Sequence, residues 1–235
     1  MKTFSITDQG RVRDTNEDVS FVKEFDDGST LLGVFDGLGG QAAGDMASER
    51  ARESLEEFNP HSHSLERHLV ELMQVANRSI LDLVDEAPKL QGMGTTMTVA
   101  YVGNGNVTWA HVGDSRLYVF REGKLKRVTE DDTIPGLLLA EGEITQEEAR
   151  VHPLKTVLFD CIGRGDFEAN AGKFEIQEDD LLLLSTDGLH DEIPEKEMIS
   201  ILLLDKDLQG KLEALVSAAL DAGGSDNITV VGAEV

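Results

Sequence analysis

Short apolar segments bounded by aspartates dominate the pattern of this 235-residue sequence. They are Leu31 to Phe35 followed by Asp36, Leu181 to Ser185 followed two positions on by Asp187, and Ile228 to Val231 preceded two positions earlier by Asp226. Runs of this length predict buried strands, and Asp18 likewise precedes a predicted strand. Carboxylates at strand ends can meet at one rim of a sheet, where burial is unfavourable unless a cation compensates them. The sequence therefore predicts an oxygen-rich site for a hard divalent metal ion.

Glycines stand directly beside several of these acids. The segments are Asp36-Gly37-Leu38-Gly39-Gly40, Gly113-Asp114-Ser115-Arg116 and Asp187-Gly188. Glycine permits tight turns and a close approach of the backbone to a ligand, so a backbone carbonyl could join the carboxylates around an ion. A single Asp-Gly pair is better explained as an ordinary turn. The recurrence of the pair beside apolar strands favours the metal site.

Segments with the hydrophobic spacing of strands alternate with segments that have the spacing of helices, and this alternation predicts the fold class. The strand-like segments are Thr3 to Thr7, Val19 to Phe25, Leu31 to Phe35, Thr95 to Val102, Val107 to Val112, Arg116 to Arg121, Lys124 to Val128, Leu181 to Ser185 and Ile228 to Val231. The helix-like segments are Ala43 to Phe58, Leu65 to Leu83, Glu195 to Leu204 and Leu208 to Leu220, with a short candidate near Thr145 to Val151. This order predicts one α+β domain over residues 1–235, with helices outside packed antiparallel sheets. Residues 130–170 are otherwise predicted to be irregular.

Composition excludes several classes of partner. The formal charge of −24, from 21 basic and 45 acidic residues, argues against nucleic acid and against an anionic membrane surface. No apolar run approaches the roughly 20 residues that a membrane helix needs. The single cysteine, Cys161, cannot form an intrachain disulfide, which allows a reducing compartment. We therefore expect a soluble cytoplasmic protein with no nucleic-acid or membrane partner.

Other site chemistries find little support in the sequence. Among the six histidines only His61 and His63 are closely spaced, and they lie in a polar loop between predicted helices, so a zinc site is not indicated. His111 and His190 are near Asp114 and Asp187 in sequence, but a histidine in the core or on the surface is the better explanation of each. The glycine-rich segments match neither a P-loop nor a dinucleotide-binding loop, which argues against a kinase or a dehydrogenase.

Six segments occur in an order that resembles the metal-dependent protein phosphatases of the type-2C (PPM) family. The segments are Asp8-Gln9-Gly10-Arg11-Val12-Arg13 with Asn16-Glu17-Asp18, Val34-Phe35-Asp36-Gly37-Leu38-Gly39-Gly40, Gly92-Met93-Gly94-Thr95-Thr96, Gly113-Asp114-Ser115-Arg116, Ser185-Thr186-Asp187-Gly188-Leu189 and Ser225-Asp226-Asn227-Ile228-Thr229. The resemblance covers nearly the whole chain and is specific to short bacterial members that consist of the catalytic domain alone. It implies a central β-sandwich of two antiparallel sheets flanked by helices, a four-layer αββα arrangement with a binuclear metal centre at one end.

The resemblance also implies the site residues. Asp36 would bridge two Mn²⁺ or Mg²⁺ ions, assisted by the Gly37 carbonyl. The other implied metal ligands are Asp187 and Asp226 for the first ion, Asp18 or Glu17 for the second, and Asp114 with Asp187 for a weaker third site. Arg13, five residues before Asp18, would bind the phosphate oxygens.

The activity implied by the resemblance is hydrolysis of phosphoserine and phosphothreonine in proteins. A metal-activated water would attack phosphorus directly, with no covalent phosphoenzyme. Substrates of a separately encoded serine/threonine kinase would be the partners, and a monomer is expected. Residues 130–170 correspond to the family's flap, which lies beside the metal centre and tunes substrate access.

Two departures from the family pattern leave other functions open. The family commonly carries a histidine in or just after the glycine stretch, but Leu38 and Gln41 stand here, and Thr129-Glu130-Asp131-Asp132-Thr133 replaces the usual Asp-His-Ser. The loss of a general acid typically slows a reaction about 10²- to 10⁴-fold. The first alternative is a catalytically weak, metal-binding regulatory protein that binds a phosphorylated partner. The second is an acidic interaction domain whose aspartates are turn residues.

Overall fold

A computed structural model describes residues 1–39 and 43–235 of the chain. Its strands are β1 (Lys2–Asp8), β2 (Val19–Glu24), β3 (Thr30–Phe35), β4 (Gly37–Leu38), β5 (Gly94–Thr95), β6 (Met97–Gly103), β7 (Asn106–Val112), β8 (Arg116–Arg121), β9 (Lys124–Arg127), β10 (Asn170–Glu175), β11 (Leu181–Ser185) and β12 (Ile228–Glu234). Its α-helices are α1 (Gly44–Ser54), α2 (Leu65–Glu86), α3 (Ile134–Ala140), α4 (Gln146–Arg150), α5 (Asp187–His190), α6 (Glu195–Leu202) and α7 (Leu208–Ala222). Gly40 and Gln41 of the glycine stretch lie outside the described residues.

Two five-stranded sheets form the centre of the described structure. One has the strand order β1-β12-β11-β8-β9 and the other β10-β7-β6-β3-β2. All their neighbouring strands run antiparallel. The sheets face each other, with β3 against β11 and β12 and with β6 against β8. This arrangement confirms the predicted sandwich of two antiparallel sheets.

Alternation along the buried strands explains the four layers. In β3, Leu32 and Val34 enter the layer between the two sheets, while Leu31 and Phe35 pack on the helical side with α1 and α2. In β11, Leu182 lies between the sheets and its neighbours face α6 and α7. Successive side chains of a strand point to opposite faces, so a strand with helices on one face and a sheet on the other is apolar throughout. The predicted αββα arrangement, with helices flanking both sheets, is confirmed.

The segment predicted to be irregular contains more regular structure than expected. Helix α4 matches the predicted short helix, but α3 was missed, although its start is marked by Thr133, whose side chain accepts a hydrogen bond from the Gly136 amide. Strand β10 was also missed, because its sequence Asn-Ala-Gly-Lys-Phe-Glu lacks a continuous apolar face. Its pairing with β7 at the edge of the sheet makes it a strand. Local propensity alone does not predict such an edge strand.

None of the helices in residues 1–39 and 43–235 is long and apolar enough to cross a membrane.

Candidate metal centre

The predicted acids lie where strands of the two sheets end or begin. Asp36 directly follows β3, Asp187 opens α5 just after β11, and Asp18 directly precedes β2. Asp114 lies in the connection between β7 and β8, and Asp226 precedes β12. Asp18 and Asp114 are buried, whereas the other three are half-buried. The tertiary structure therefore brings these five carboxylates towards one end of the sandwich.

The pKa values show how strongly these carboxylates interact. Loss of solvation is the largest cause of the raised pKa of Asp36, followed by the negative charges of Asp187, Asp18, Asp114 and Asp226. Loss of solvation, then the charges of Asp114 and Asp226, raise the pKa of Asp187 well above its usual range. Burial raises the pKa of Asp18 and of Asp114 to about 7. Without a cation, the cluster therefore disfavours its own ionised state.

Backbone hydrogen bonds fix the position of Asp36. Its amide donates to Thr96 Oγ1 at 3.0 Å, and its carbonyl oxygen accepts from the Thr95 hydroxyl at 2.9 Å and from the Thr96 amide at 2.9 Å. Thr95 ends β5 and Thr96 lies between β5 and β6, about 60 residues away in sequence. The Gly-Thr-Thr motif seen in the sequence thus has a positioning role that the sequence did not reveal.

Asn227 and Thr186 hold the acids on the opposite side of the site. The Asn227 side-chain oxygen accepts from the Glu17 amide at 2.8 Å, and its nitrogen donates to the carbonyl oxygens of Gln9 and Thr15, each at 2.8 Å. Thr186 Oγ1 donates to Asp18 Oδ2 at 2.7 Å. These contacts join the two chain ends around the acids. Sequence reasoning missed both residues because each acts across more than 160 positions.

Two glycines are required by close packing around Glu17. A side chain at Gly37 would collide with the backbone of Gly44 and with the Glu17 carbonyl oxygen. A side chain at Gly44, the first residue of α1, would collide with the Glu17 carboxylate. Burial raises the pKa of Glu17, partly offset by the positive charge of Arg13. The first turn of α1 therefore leaves space for this carboxylate and for the Gly37 backbone.

Arg13 is placed over the cluster with its side chain about half exposed. Its Nη2 donates to Asp226 Oδ2 at 2.5 Å, and the two side chains are 53% and 28% exposed. Burial lowers the Arg13 pKa, but the hydrogen bond that Arg13 donates to Asp226 and the charges of Asp226, Asp187 and Asp36 raise it overall. The guanidinium is thus close to three of the predicted ligands and open to solvent.

The donor set fits a divalent cation by its charge and by one unsatisfied atom. Asp187 Oδ1 is buried and has no hydrogen-bond partner among the described residues. Buried carboxylate oxygens without protein donors are suited to coordinate a hard cation. In the described part of the chain, no three His, Cys, Asp or Glu side chains are already arranged as a metal-holding group. The fit therefore rests on the burial and mutual repulsion of the acids rather than on a preformed ligand set.

His111 and His190 are buried and held by neutral groups. His111 Nδ1 is 2.7 Å from Thr98 Oγ1, its Nε2 is 2.9 Å from the Glu130 carbonyl oxygen, and burial lowers its pKa to about 4. His190 Nδ1 is 3.2 Å from Ser185 Oγ, and burial lowers its pKa well below the usual range. Both contacts are those of neutral structural histidines.

A cavity of about 290 Å³ adjoins Asp114 and Asp187. Helices α3 and α4 line it on one side, and the segment from α5 to α6 lines the other. Arg150 Nη2 donates to the Asp191 carbonyl oxygen at 3.0 Å, and Lys155 Nζ is 2.7 Å from Asp191 Oδ2. These contacts join the 130–170 segment to the end of α5, next to Asp187. The predicted flap therefore packs beside the acid cluster.

The fold and the arrangement of acids agree with one protein family. The family model described as "Protein phosphatase 2C" matches residues 9–223, and the chain belongs to this family.

Individual relatives were found both by sequence and by structure. The serine/threonine phosphatase stp of Listeria welshimeri is 38% identical over 232 residues, which cover 96% of this chain and 92% of that protein. The crystal structure of the Mycobacterium tuberculosis serine/threonine phosphatase PstP/Ppp has a TM-score of 0.91 at 32% identity, covering 100% of this chain and 98% of the other. The catalytic domain of PstP in complex with two manganese ions has a TM-score of 0.89 at 31% identity, covering 99% and 97%.

Proposed function

We propose that this protein is a metal-dependent serine/threonine phosphatase that hydrolyses phosphoserine and phosphothreonine in proteins. The observation that carries the proposal is the cluster of Asp18, Asp36, Asp114 and Asp187, each with a pKa raised by loss of solvation and by nearby negative charge, in a chain of the protein phosphatase 2C family. Relatives named as serine/threonine phosphatases at 34–38% identity favour catalysis over a purely regulatory protein. If the acids only formed turns in an interaction domain, nothing would offset the cost of burying several of them together at one end of the sandwich.

The metal ligands are the residues that the family resemblance named. Asp36, with the Gly37 carbonyl, would hold two ions; Asp187 and Asp226 would be the other ligands of the first, and Asp18 or Glu17 of the second. Asp114 with Asp187 would hold a weaker third ion. Mn²⁺ or Mg²⁺ bound there would supply a water activated for direct attack on phosphorus. The related PstP structure with two manganese ions supports this ion count.

Arg13 binds the phosphate oxygens of the substrate. Its guanidinium is exposed beside the cluster and donates to Asp226 in the structure. A cation held by Asp226 would weaken that ion pair, and the guanidinium donors of Arg13 would then be available to two phosphate oxygens. The paired geometry also orients the phosphorus towards the acids.

Proton delivery to the leaving oxygen differs from the family pattern. Leu38 has no proton to give, and the buried His111 and His190 are engaged with Thr98 and Ser185. We therefore expect turnover about 10²- to 10⁴-fold below that of an enzyme with a placed general acid.

The remaining expectations follow from the same proposal. The protein acts as a cytoplasmic monomer, a single catalytic domain over residues 1–235 with a flap at about 130–170. Its substrates are phosphoproteins made by a separately encoded serine/threonine kinase.

Phosphate release from a phosphothreonine peptide tests the function. We expect release in Mn²⁺ or Mg²⁺ and none in EDTA, because the carboxylates alone repel a phosphate dianion. A phosphotyrosine peptide of the same sequence serves as the specificity control. Equal release in EDTA and in Mn²⁺ would contradict a metal-dependent mechanism.

Metal binding is expected to stabilise the protein more as the pH rises from 5 to 8. In the metal-free protein the pKa values of Asp18 and Asp114 are raised to about 7. A carboxyl whose pKa is higher in the folded than in the unfolded state contributes stability that is lost as the pH rises through the folded value. A bound cation favours the ionised carboxylates and removes that loss.

The measurement is the Tm in EDTA and in Mn²⁺ at each pH unit from 5 to 8. An ion at 100 times its Kd contributes about 2.7 kcal/mol, which corresponds to about 5–10 °C in Tm for a chain of this size. NaCl at equal ionic strength separates coordination from general salt effects. A Tm difference that is constant or falls with pH would contradict cation binding at these acids.

A further inference from the structure

A second concave surface lies along one edge of the sandwich and shares no lining residue with the cavity beside the acids. It is a groove of about 530 Å³ between β9 and β10, which are edge strands of opposite sheets. Its floor is apolar and consists of Trp109, Val119, Val128 and Phe174. Three of these, Trp109, Val128 and Phe174, pack only partly buried against the cluster between the sheets. The apolar interior of the sandwich is therefore accessible along this edge.

The indole of Trp109 is part of that floor. Trp109 pairs across the sheet with Gly172, and a side chain at Gly172 would lie 2.9 Å from the indole ring. Glycine at this place thus leaves room for the ring beside β10. Trp109 is the only tryptophan of the chain.

The rim of the groove is basic in a strongly acidic protein. Lining residues include five of the chain's 21 basic side chains and two acidic ones, Glu122 and Glu175, in a protein of net charge −24. The basic residues are Arg121, Lys124, Lys126, Arg127 and Lys173. Such a concentration gives this face a sign opposite to that of the rest of the molecule.

Only two of these five basic side chains form ion pairs with described residues. Arg121 pairs with Asp180 at 2.5 Å, and Arg127 pairs with Asp131 at 3.3 Å. Lys124, Lys126 and Lys173 are exposed and form no ion pair with any described residue. Three ammonium groups therefore remain available to a partner.

Protection of sheet edges explains only part of this arrangement. Lysines on edge strands prevent unwanted pairing with other strands, and β9 and β10 carry them. Protection of an edge strand does not require a partly exposed apolar surface that contains an aromatic ring. An apolar floor with a cationic rim is suited to a peptide that carries both acidic and apolar side chains.

The groove is also oriented towards the acid cluster. Strand β7 carries Trp109 and leads to Asp114, five residues later, which at the rise of a strand is about 17 Å. Strand β9 runs back from the far hairpin and ends near Asp131, which Arg127 contacts. An extended peptide can therefore occupy the cluster and the groove with about five residues between them.

We propose that this groove binds an acidic, apolar-containing segment of the phosphoprotein substrate, about five residues from the phosphorylated residue. This inference rests on the proposed phosphatase function and narrows its substrate class. Lys124, Lys126 and Lys173 contact the acidic side chains, and Trp109 and Phe174 contact an apolar one.

Direct binding tests the groove without any catalysis. The probe is the unphosphorylated peptide acetyl-Glu-Asp-Leu-Glu-Asp-Leu-Glu-amide, added to the protein in EDTA while the fluorescence of the single tryptophan is recorded. We expect a saturable change that weakens as the salt concentration rises. The variant K124E/K126E/K173E should bind at least about 10-fold more weakly. The matched variant K2E/R78E/K89E, which alters three exposed basic residues outside the groove by the same charge, should bind like the wild type.

Three results would overturn the proposal. They are no fluorescence change, an equal change with the Gln-Asn version of the peptide, or an equal loss in both charge variants. The binding arm does not depend on phosphate release, so failure of the phosphatase proposal is distinguishable from failure of the groove.

Kinetics provide the second arm of the test. On a phosphothreonine peptide with this acidic segment five residues away, K124E/K126E/K173E should lower kcat/KM at least about 10-fold, mainly through KM. With p-nitrophenyl phosphate, which is too small to reach the groove, its kcat/KM should equal that of the wild type. An equal loss on both substrates would assign the lysines to general stability and overturn the docking role.

Discussion

Replacement of Asp36 by asparagine is expected to abolish phosphate release while the fold is kept. Even groups that only orient metal ligands typically change activity about 10- to 100-fold when they are removed, so loss of the proposed ligand of both ions should lower activity more than about 10²-fold. The backbone of Asp36, held by Thr95 and Thr96, is unaffected by the change. The measurement is kcat on a phosphothreonine peptide in saturating Mn²⁺.

The same substitution should raise the Tm of the metal-free protein. Loss of solvation, and then the charges of four neighbouring aspartates, raise the Asp36 pKa, so a neutral amide removes the cost of burying an ionisable group among them. The Mn²⁺-induced rise in Tm should shrink at the same time. Asp85→Asn, at an exposed position of α2, is the matched control and should behave like the wild type. Turnover like the wild type in Asp36→Asn would remove Asp36 from the centre.

The largest loss of stability is expected from Asp131→Leu. Asp131 forms a two-point ion pair with Arg116, with Nε to Oδ1 at 2.8 Å and Nη2 to Oδ2 at 2.6 Å, and both side chains are largely buried at 13% and 10% exposure. Removal of one partner of a buried pair leaves an uncompensated charge and costs about 3–5 kcal/mol. In a chain of this size that corresponds to roughly 10 °C in Tm.

The double variant R116M/D131L shows whether the unpaired charge causes the loss of stability. Apolar side chains of similar volume in place of both partners should recover part of the lost stability, because Arg116 is then no longer buried without its partner and only the weaker Arg127–Asp131 contact stays lost. The Arg67–Glu71 pair on α2, at 81% and 51% exposure, provides the surface control, and Glu71→Gln should cost less than about 0.5 kcal/mol. A single variant as stable as the wild type would show that the buried pair contributes nothing.

The Arg116–Asp131 pair also determines the direction in which stability changes with pH. Burial alone would raise the Asp131 pKa, but the charge and hydrogen bonds of Arg116, with the charge of Arg127, lower it well below its usual range. A lowered folded-state pKa contributes stability that is present above the unfolded value of about 3.9 and lost as the pH falls below it. The comparison of variants therefore belongs at neutral pH, where the contribution is complete.

The sequence of segment 129–133 shows that it departs from the family pattern. It does not show what the acids of this segment do. Asp131 compensates Arg116, and Asp132 Oδ2 accepts a hydrogen bond from the Gly113 amide at 2.7 Å. Both partners are at least 15 positions away in sequence, so no local pattern links them.

The sequence by itself determined the layers and the chemistry of the protein. Wholly apolar strands such as Leu181 to Ser185 require cover on both faces, and aspartates at their ends require compensation, because both demands are local consequences of burial. Only the tertiary structure decided which distant groups meet. It joined Asn227 to Glu17 and Thr186 to Asp18, and it placed Lys173 and Trp109 beside β9. Strand order decides such encounters, and strand order depends on packing over the whole chain rather than on any local pattern.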